Sequence, residues 1–105
     1  MTNEEIIASA KIFALCESIL EQSKEADVSN AQRFPLRMLT QYVRQAHARR
    51  KVTRGIQKRL AALMDEISEA TMRSEFGRCL SLEQQGVWIL AYRREAANEQ
   101  SSRSI

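Results

Sequence analysis

Glycine and proline are scarce in this chain, and their scarcity excludes several fold classes. Only three glycines and one proline stand among 105 residues, whereas all-β domains need turn residues at every hairpin. No apolar run approaches the roughly 20 residues that a membrane-spanning helix requires. The chain begins MTNEE, which is acidic where a secretory signal peptide is basic. We therefore expect a cytoplasmic protein without a membrane partner.

Side chains for metal binding and catalysis are also few. Cys16 and Cys79 lie far apart and match no metal-binding spacing, so we expect two buried free thiols rather than a disulfide. His47 is the single histidine, and the chain has no Gly-rich phosphate loop or glycine-flanked nucleophile. Asp65 and Glu66 are adjacent, so a helix directs their carboxylates to different sides, and they make a poor catalytic acid/base pair. The sequence predicts that the protein is not an enzyme and has no cofactor or metal.

Apolar residues recur at the spacing of an α-helix in four segments, which predicts an all-α, single-domain bundle of about four main helices. The first helix begins at a capping box formed by Thr2 and Glu5 and ends near residues 23–25. A polar connector follows over residues 25–34. Pro35 then opens the second helix, because its missing N–H costs nothing in a first turn.

The second helix is expected to reach about Arg50. Its buried stripe consists of Leu36, Leu39, Val43 and Ala46. The third helix begins after Thr53, which has the side chain of an N-cap. It keeps an apolar stripe from Ile56 to Ala70, the clearest periodicity in the chain.

A capping box over residues 81–84 opens the fourth helix. Trp88 and Tyr92 lie one turn apart on it, and we expect both rings in the core rather than on a base-stacking surface. The domain is expected to span residues 1–98, with a flexible tail over residues 99–105. The apolar stripe of the fourth helix contains Leu82, Gly86, Ile89 and Leu90.

The strongest signal in the sequence is the absence of acidic residues from residues 31–60. Nine of the sixteen Lys and Arg residues lie there, so the formal charge is −4 over residues 1–30, +9 over residues 31–60 and −2 over residues 61–105. A merely solvated helix face usually mixes both signs, because neighbouring charges can then pair. Seven of the nine cations are arginines, which suit bidentate phosphate contact. This distribution is typical of a surface that binds phosphates.

The basic stretch is therefore the candidate nucleic-acid-binding site, and phosphate contact is its predicted role. Arg37, Arg44 and Lys51 are spaced by seven residues and share the helix face opposite the buried stripe. A helix-turn-helix fits poorly, because the flanking helices are long and the third turns acidic. The candidate residues are Arg33, Arg37, Arg44, His47, Arg49, Arg50, Lys51, Arg54, Lys58 and Arg59.

Three stretches, taken in order, resemble a known family. They are AKIFALCESILEQ at residues 10–22, FPLRML at residues 34–39, and LSLEQQG at residues 80–86, which leads into WILAY. In this order they are similar to the C-terminal helical domain of the large subunit of type I-C CRISPR surveillance complexes (Cascade). That domain is also made separately as the small subunit. The resemblance spans about residues 8–97, although the polar segment before FPLRML is shorter here.

The resemblance implies a non-catalytic helical subunit that is present in more than one copy in each complex. Such subunits support the duplex of crRNA and target and guide the displaced DNA strand, while base pairing reads the sequence. The implied partners are nucleic acid, other Cascade subunits and further copies of the same chain. Two alternatives stay open. One is a small protein-binding adaptor or inhibitor, including a phage-encoded one, and the other is a free-standing transcription regulator.

Overall fold

Six α-helices form the regular structure of residues 1–49 and 52–103, the part of the chain that the computed structural model describes. No strand occurs in those residues, so the predicted all-α class is confirmed. None of their helices is long and apolar enough to cross a membrane. The helices are α1 (Asn3–Leu20), α2 (Glu25–Arg33), α3 (Pro35–His47), α4 (Arg54–Asp65), α5 (Glu69–Ser74) and α6 (Leu82–Arg103).

Helix α1 is the central helix of the fold and packs against α3, α4 and α6. It starts at the predicted capping box, where the Thr2 hydroxyl accepts from the Glu5 backbone N–H and the Glu5 carboxylate accepts from the Thr2 N–H. Most of its circumference is buried. Small side chains on α1 allow the neighbouring helices to approach it closely. One of them, Ser9, is fully buried, and its hydroxyl donates a hydrogen bond to the Ile6 carbonyl at 2.7 Å.

The connector predicted over residues 25–34 is wrong, because α2 occupies most of it. Acidic residues lie in the first turn of α2 and Arg33 in its last turn, the order of charges that a helix dipole favours. Ala31 is fully buried, and the Tyr42 hydroxyl of α3 donates to the Asp27 carboxylate. A short polar segment becomes helical here because tertiary contacts stabilise it.

Pro35 opens α3, as predicted. Proline disfavours the helical region for the residue before it, and Phe34 accordingly has φ −127° and ψ 69°. The predicted stripe faces the core: Leu36, Leu39 and Ala46 are buried and Val43 is half-buried. The helix ends at His47, before the predicted end at about Arg50, which lies outside the described residues.

The long third helix predicted over residues 56–70 is instead two helices. Thr53 caps α4 as predicted, but α4 ends at Asp65. Ser68 then caps α5, and its backbone N–H donates to the Glu5 carboxylate of α1 at 3.1 Å. The break between α4 and α5 is therefore accompanied by a hydrogen bond between distant parts of the chain, and apolar periodicity does not predict such a contact.

Helix α6 begins at the predicted capping box. The Ser81 backbone N–H donates to the Gln84 side chain at 3.1 Å, and the Gln84 N–H donates to the Ser81 hydroxyl at 3.2 Å. The helix continues to Arg103, so residues 99–103 of the predicted tail are helical. Residues 104–105 lie outside the described residues, and the mobility of the tail stays a prediction.

An aromatic cluster joins α6 to α1; Trp88 lies in the core as expected, whereas Tyr92 is half-buried against it. Trp88 is fully buried and stacks on Tyr92, with ring centroids 5.2 Å apart and an interplanar angle of 8°. Phe13 of α1 lies 5.7 and 5.8 Å from the two rings. Leu82, which the sequence predicts on the apolar stripe of this helix with Gly86, Ile89 and Leu90, is 86% exposed. Six residues of helix direct it about 120° away from Trp88.

Both cysteines are free, but only Cys16 is buried. Burial raises the pKa of the Cys16 thiol to about 12. Cys79 is exposed in the segment between α5 and α6, whereas its neighbour Leu80 is buried and donates its backbone N–H to the Arg33 carbonyl at 2.8 Å. The prediction of two buried thiols is therefore wrong for Cys79.

Candidate nucleic-acid interface

The basic residues of α3 lie on the solvent side of that helix. Arg37 and Arg44 are exposed, and their spacing of seven residues places them on one face. His47, the last residue of α3, and Arg49 just beyond it are exposed as well. In the described part of the chain, no carboxylate forms an ion pair with any of these four side chains.

Part of the charge on α3 has a structural role. Arg44 lies in the last turn of the helix, where a cation interacts favourably with the helix dipole. Such an interaction is worth about 0.3–1 kcal/mol at an exposed position. A soluble helix can therefore carry a cation at this place without any ligand, and Arg44 alone does not indicate binding.

The start of α4 carries two exposed cations, and the first of them, Arg54, lies in the first turn, where a cation opposes the helix dipole. Arg54 and Lys58 are exposed and lie four residues apart, so they share a face. The first turn of α4 has no acidic residue, whereas the first turns of α1 and α5 do. Neither Arg54 nor Lys58 has an ion-pair partner among the described residues. Their placement costs a little stability, which favours a role in binding.

Arg59 differs from these neighbours, because the fold uses its guanidinium. It forms ion pairs with Glu95 and Glu99 of α6, the second at 2.7 Å. Glu95 is only 4% exposed, so removal of Arg59 leaves a buried carboxylate without its cation. Arg59 is therefore engaged within the fold, and we do not include it among the free cations.

The remaining candidates lie at the edges of the basic stretch. Arg33 at the end of α2 is exposed, and its guanidinium donates to the Asn30 side chain at 3.4 Å. Arg50 and Lys51 lie outside the described residues. We define the basic surface by its described members, which are Arg33, Arg37, Arg44, His47, Arg49, Arg54 and Lys58.

The two parts of the basic surface lie on or beside α3 and α4, and each of these helices packs against α1. Among the described residues, α3 and α4 do not pack extensively against each other. The guanidinium groups of the arginines on this surface can each donate two hydrogen bonds to a phosphate. No acidic residue within residues 31–60 competes for these groups. The described residues contain no group of three or more His, Cys, Asp or Glu side chains that could hold a metal ion.

The sequence predicts Glu5 as part of a capping box, but it does not predict that the carboxylates of Glu5 and Glu17 are buried. The Thr2 backbone N–H, as the main cause, lowers the pKa of Glu5 to about 2. Glu17 is 7% exposed and accepts a hydrogen bond from the Tyr92 hydroxyl, and burial raises its pKa. The sequence does contain one indication that Glu17 is buried: it follows Phe13 by four residues and therefore lies on the apolar face of the helix.

Comparison of the chain with protein-family models, with curated proteins and with solved structures finds no match.

Proposed function

We propose that this protein is a non-catalytic small subunit of a CRISPR RNA-guided surveillance complex. Its basic surface binds nucleic-acid backbone through phosphates and without sequence specificity. The ligand is the displaced DNA strand or the duplex of crRNA and target. The other partners are further Cascade subunits and further copies of this chain, assembled in the cytoplasm for antiviral defence.

The observation that carries this proposal is the pair of free cations at the start of α4. Arg54 and Lys58 are exposed and lack ion-pair partners in the described part of the chain. Arg54 opposes the helix dipole in the first turn of α4, and two cations four residues apart repel each other, so the stability of α4 does not explain their presence. Arg59 shows the contrast, because α6 supplies two carboxylates for it. Exposed Arg37 and Arg44 extend the free positive charge along α3.

The resemblance from which the complex is inferred is compatible with the helical fold. The stretch at residues 10–22 lies mainly in α1, the stretch at residues 34–39 opens α3, and the stretch at residues 80–86 opens α6. All three therefore coincide with helices or their starts, as expected for a chain similar to a helical domain. The resemblance and the free cations are independent supports, since only the stretch at residues 34–39 overlaps the basic surface.

Binding to unrelated nucleic acids tests the proposal directly. Purified protein is titrated into fluorescently labelled single-stranded DNA and RNA–DNA duplexes of several sequences, and anisotropy is measured. If about four cations contact phosphates, the affinity for a single strand falls about 50-fold between 50 and 200 mM salt. Equal affinity for all sequences is expected. A preference for one duplex sequence would instead indicate a transcription regulator.

A matched pair of charge-reversal variants locates the binding surface. Arg54→Glu/Lys58→Glu should weaken binding at least tenfold, because two phosphate contacts are lost and two negative charges added. Arg73→Glu/Arg78→Glu changes the net charge by the same amount at exposed residues outside the basic surface and should retain most of the affinity. Equal losses in both variants would mean that net charge alone matters, and would contradict the proposal.

The adaptor or inhibitor alternative uses the same basic surface on an acidic protein. It predicts no binding to DNA or RNA at physiological salt and no crRNA in material purified from cells. The proposed function predicts that the tagged protein co-purifies with a crRNA and with Cascade backbone subunits. Loss of that association in Arg54→Glu/Lys58→Glu, together with retained helical circular dichroism, would support the assignment of the surface.

A further inference from the structure

A groove between α1 and α6 lies outside the basic surface. It has a volume of about 440 Å³, and Ile7 of α1 and Val87, Leu90 and Ala91 of α6 form its apolar part. The apolar pattern of the sequence places Leu90 on the buried stripe, but Leu90 is 61% exposed. Leu90 and the half-buried apolar residues beside it form a small apolar surface, and a partner that packs on it would remove it from water.

Two of the four polar residues that line this groove are cations. Lys11 of α1 and Arg94 of α6 line it, and neither has an ion-pair partner in the described part of the chain. Glu95 also lines the groove, but it is 4% exposed and paired with Arg59. Asn98 is the remaining polar residue. The groove therefore combines an apolar surface with unneutralised positive charge from both helices.

We propose that this groove docks an amphipathic, acidic helix of a partner protein. Its aliphatic side chains cover Leu90 and the neighbouring apolar residues, and its Asp or Glu residues face Lys11 and Arg94. Two adjacent helices form a groove into which the side-chain ridges of a third can pack. Charge complementarity selects an acidic helix over a basic one. The inference goes beyond the proposed function, because no residue of the groove belongs to the basic surface.

Designed peptides of known charge test the chemistry of the occupant. The probe is a labelled helical peptide of about 18 residues, with leucines along one face and glutamates beside them. One control peptide has lysine at every glutamate position, and another has alanine at every leucine position. Anisotropy of each peptide is measured with the full-length protein. We expect the acidic peptide to bind at least tenfold more tightly than either control.

Two groove residues of α6, Leu90 and Arg94, each have a matched control on the same helix. Leu90→Gln should weaken binding of the acidic peptide about tenfold, whereas Leu82→Gln, at an equally aliphatic and 86% exposed position outside the groove, should not. Arg94→Glu should weaken it about fivefold at low salt and less at high salt. Arg93→Glu, one residue away and not in the groove lining, should have a smaller effect.

Three outcomes would overturn the inference. The first is no binding of the acidic peptide up to about 1 mM, a dissociation constant that corresponds to a binding free energy of about −4 kcal/mol. The second is equally tight binding of the lysine peptide. The third is an equal loss of affinity in Leu90→Gln and Leu82→Gln. A fourth outcome would come from analytical ultracentrifugation of the protein alone. Self-association that Leu90→Gln abolishes would assign the groove to a second copy of this chain. Nucleic-acid binding by Leu90→Gln should stay unchanged, which separates this test from that of the proposed function.

Discussion

Glu5 connects the starts of two helices, and Glu5→Gln tests how much that connection stabilises the fold. Its carboxylate accepts from the Thr2 backbone N–H at 3.0 Å through Oε1 and from the Ser68 backbone N–H at 3.1 Å through Oε2. Glutamine preserves the size of the side chain but has only one acceptor oxygen. We therefore expect the variant to lose the charge and one of these two backbone hydrogen bonds.

The pKa of Glu5 sets the size of this effect. Backbone hydrogen bonding from Thr2 is the largest cause that lowers it from 4.5 to about 2. At full strength that difference corresponds to roughly 3 kcal/mol, and solvent screening near the start of the chain reduces it to about 1–2 kcal/mol. Because the folded-state pKa is depressed, the stabilisation is present above about pH 4.5 and is lost as the pH falls toward 2.

Urea unfolding, followed by fluorescence of Trp88, the single tryptophan, measures this difference. Glu5→Gln should lower the free energy of unfolding by about 1–2 kcal/mol at pH 7, and the gap from the wild type should narrow as the pH approaches about 2. Glu4→Gln alters an exposed residue in the same first turn and should cost less than about 0.5 kcal/mol. A gap for Glu5→Gln that is independent of pH would refute the reasoning.

Two further stability predictions use the same unfolding assay. Gly86 lies inside α6, and no neighbouring atom lies within 4 Å of an added Cβ, so Gly86→Ala should raise the free energy of unfolding by about 0.5–1 kcal/mol; a destabilised variant would show a steric restriction there. Arg59→Leu should lower it by about 2 kcal/mol, because Glu95 is left buried without a cation. Arg59→Leu/Glu95→Leu should recover much of that loss, and an equal loss in Arg54→Leu would contradict this explanation.

Several helix starts were predictable, because the groups that form them lie within one turn of each other. Thr2 and Glu5 form their capping box across three residues, and Thr53 caps α4 through a backbone N–H three residues later. Pro35 opens α3 by its own ring geometry. These features require no knowledge of the rest of the chain, so local patterns were sufficient to identify them.

Helix α2 and the break before α5 were missed for the opposite reason. The Tyr42 hydroxyl that contacts Asp27 lies 15 residues further along the chain, and Glu5 lies 63 residues before Ser68. A polar composition over residues 25–34 predicts a connector when these contacts are unknown. In the same way, an unbroken apolar period over residues 56–70 predicts one helix, although a distant carboxylate accepts the hydrogen bond at the break.

The sequence by itself determined where positive charge is concentrated and where most helices begin, because composition and capping depend only on neighbouring residues. Only the tertiary structure decided which cations stay free and which apolar side chains stay uncovered. Arg59 is engaged because α4 meets α6 at Glu95 and Glu99, and Leu90 is exposed because the packing of α1 on α6 leaves a groove. Both outcomes depend on how helices distant in the chain meet, which neither charge nor periodicity along the sequence specifies.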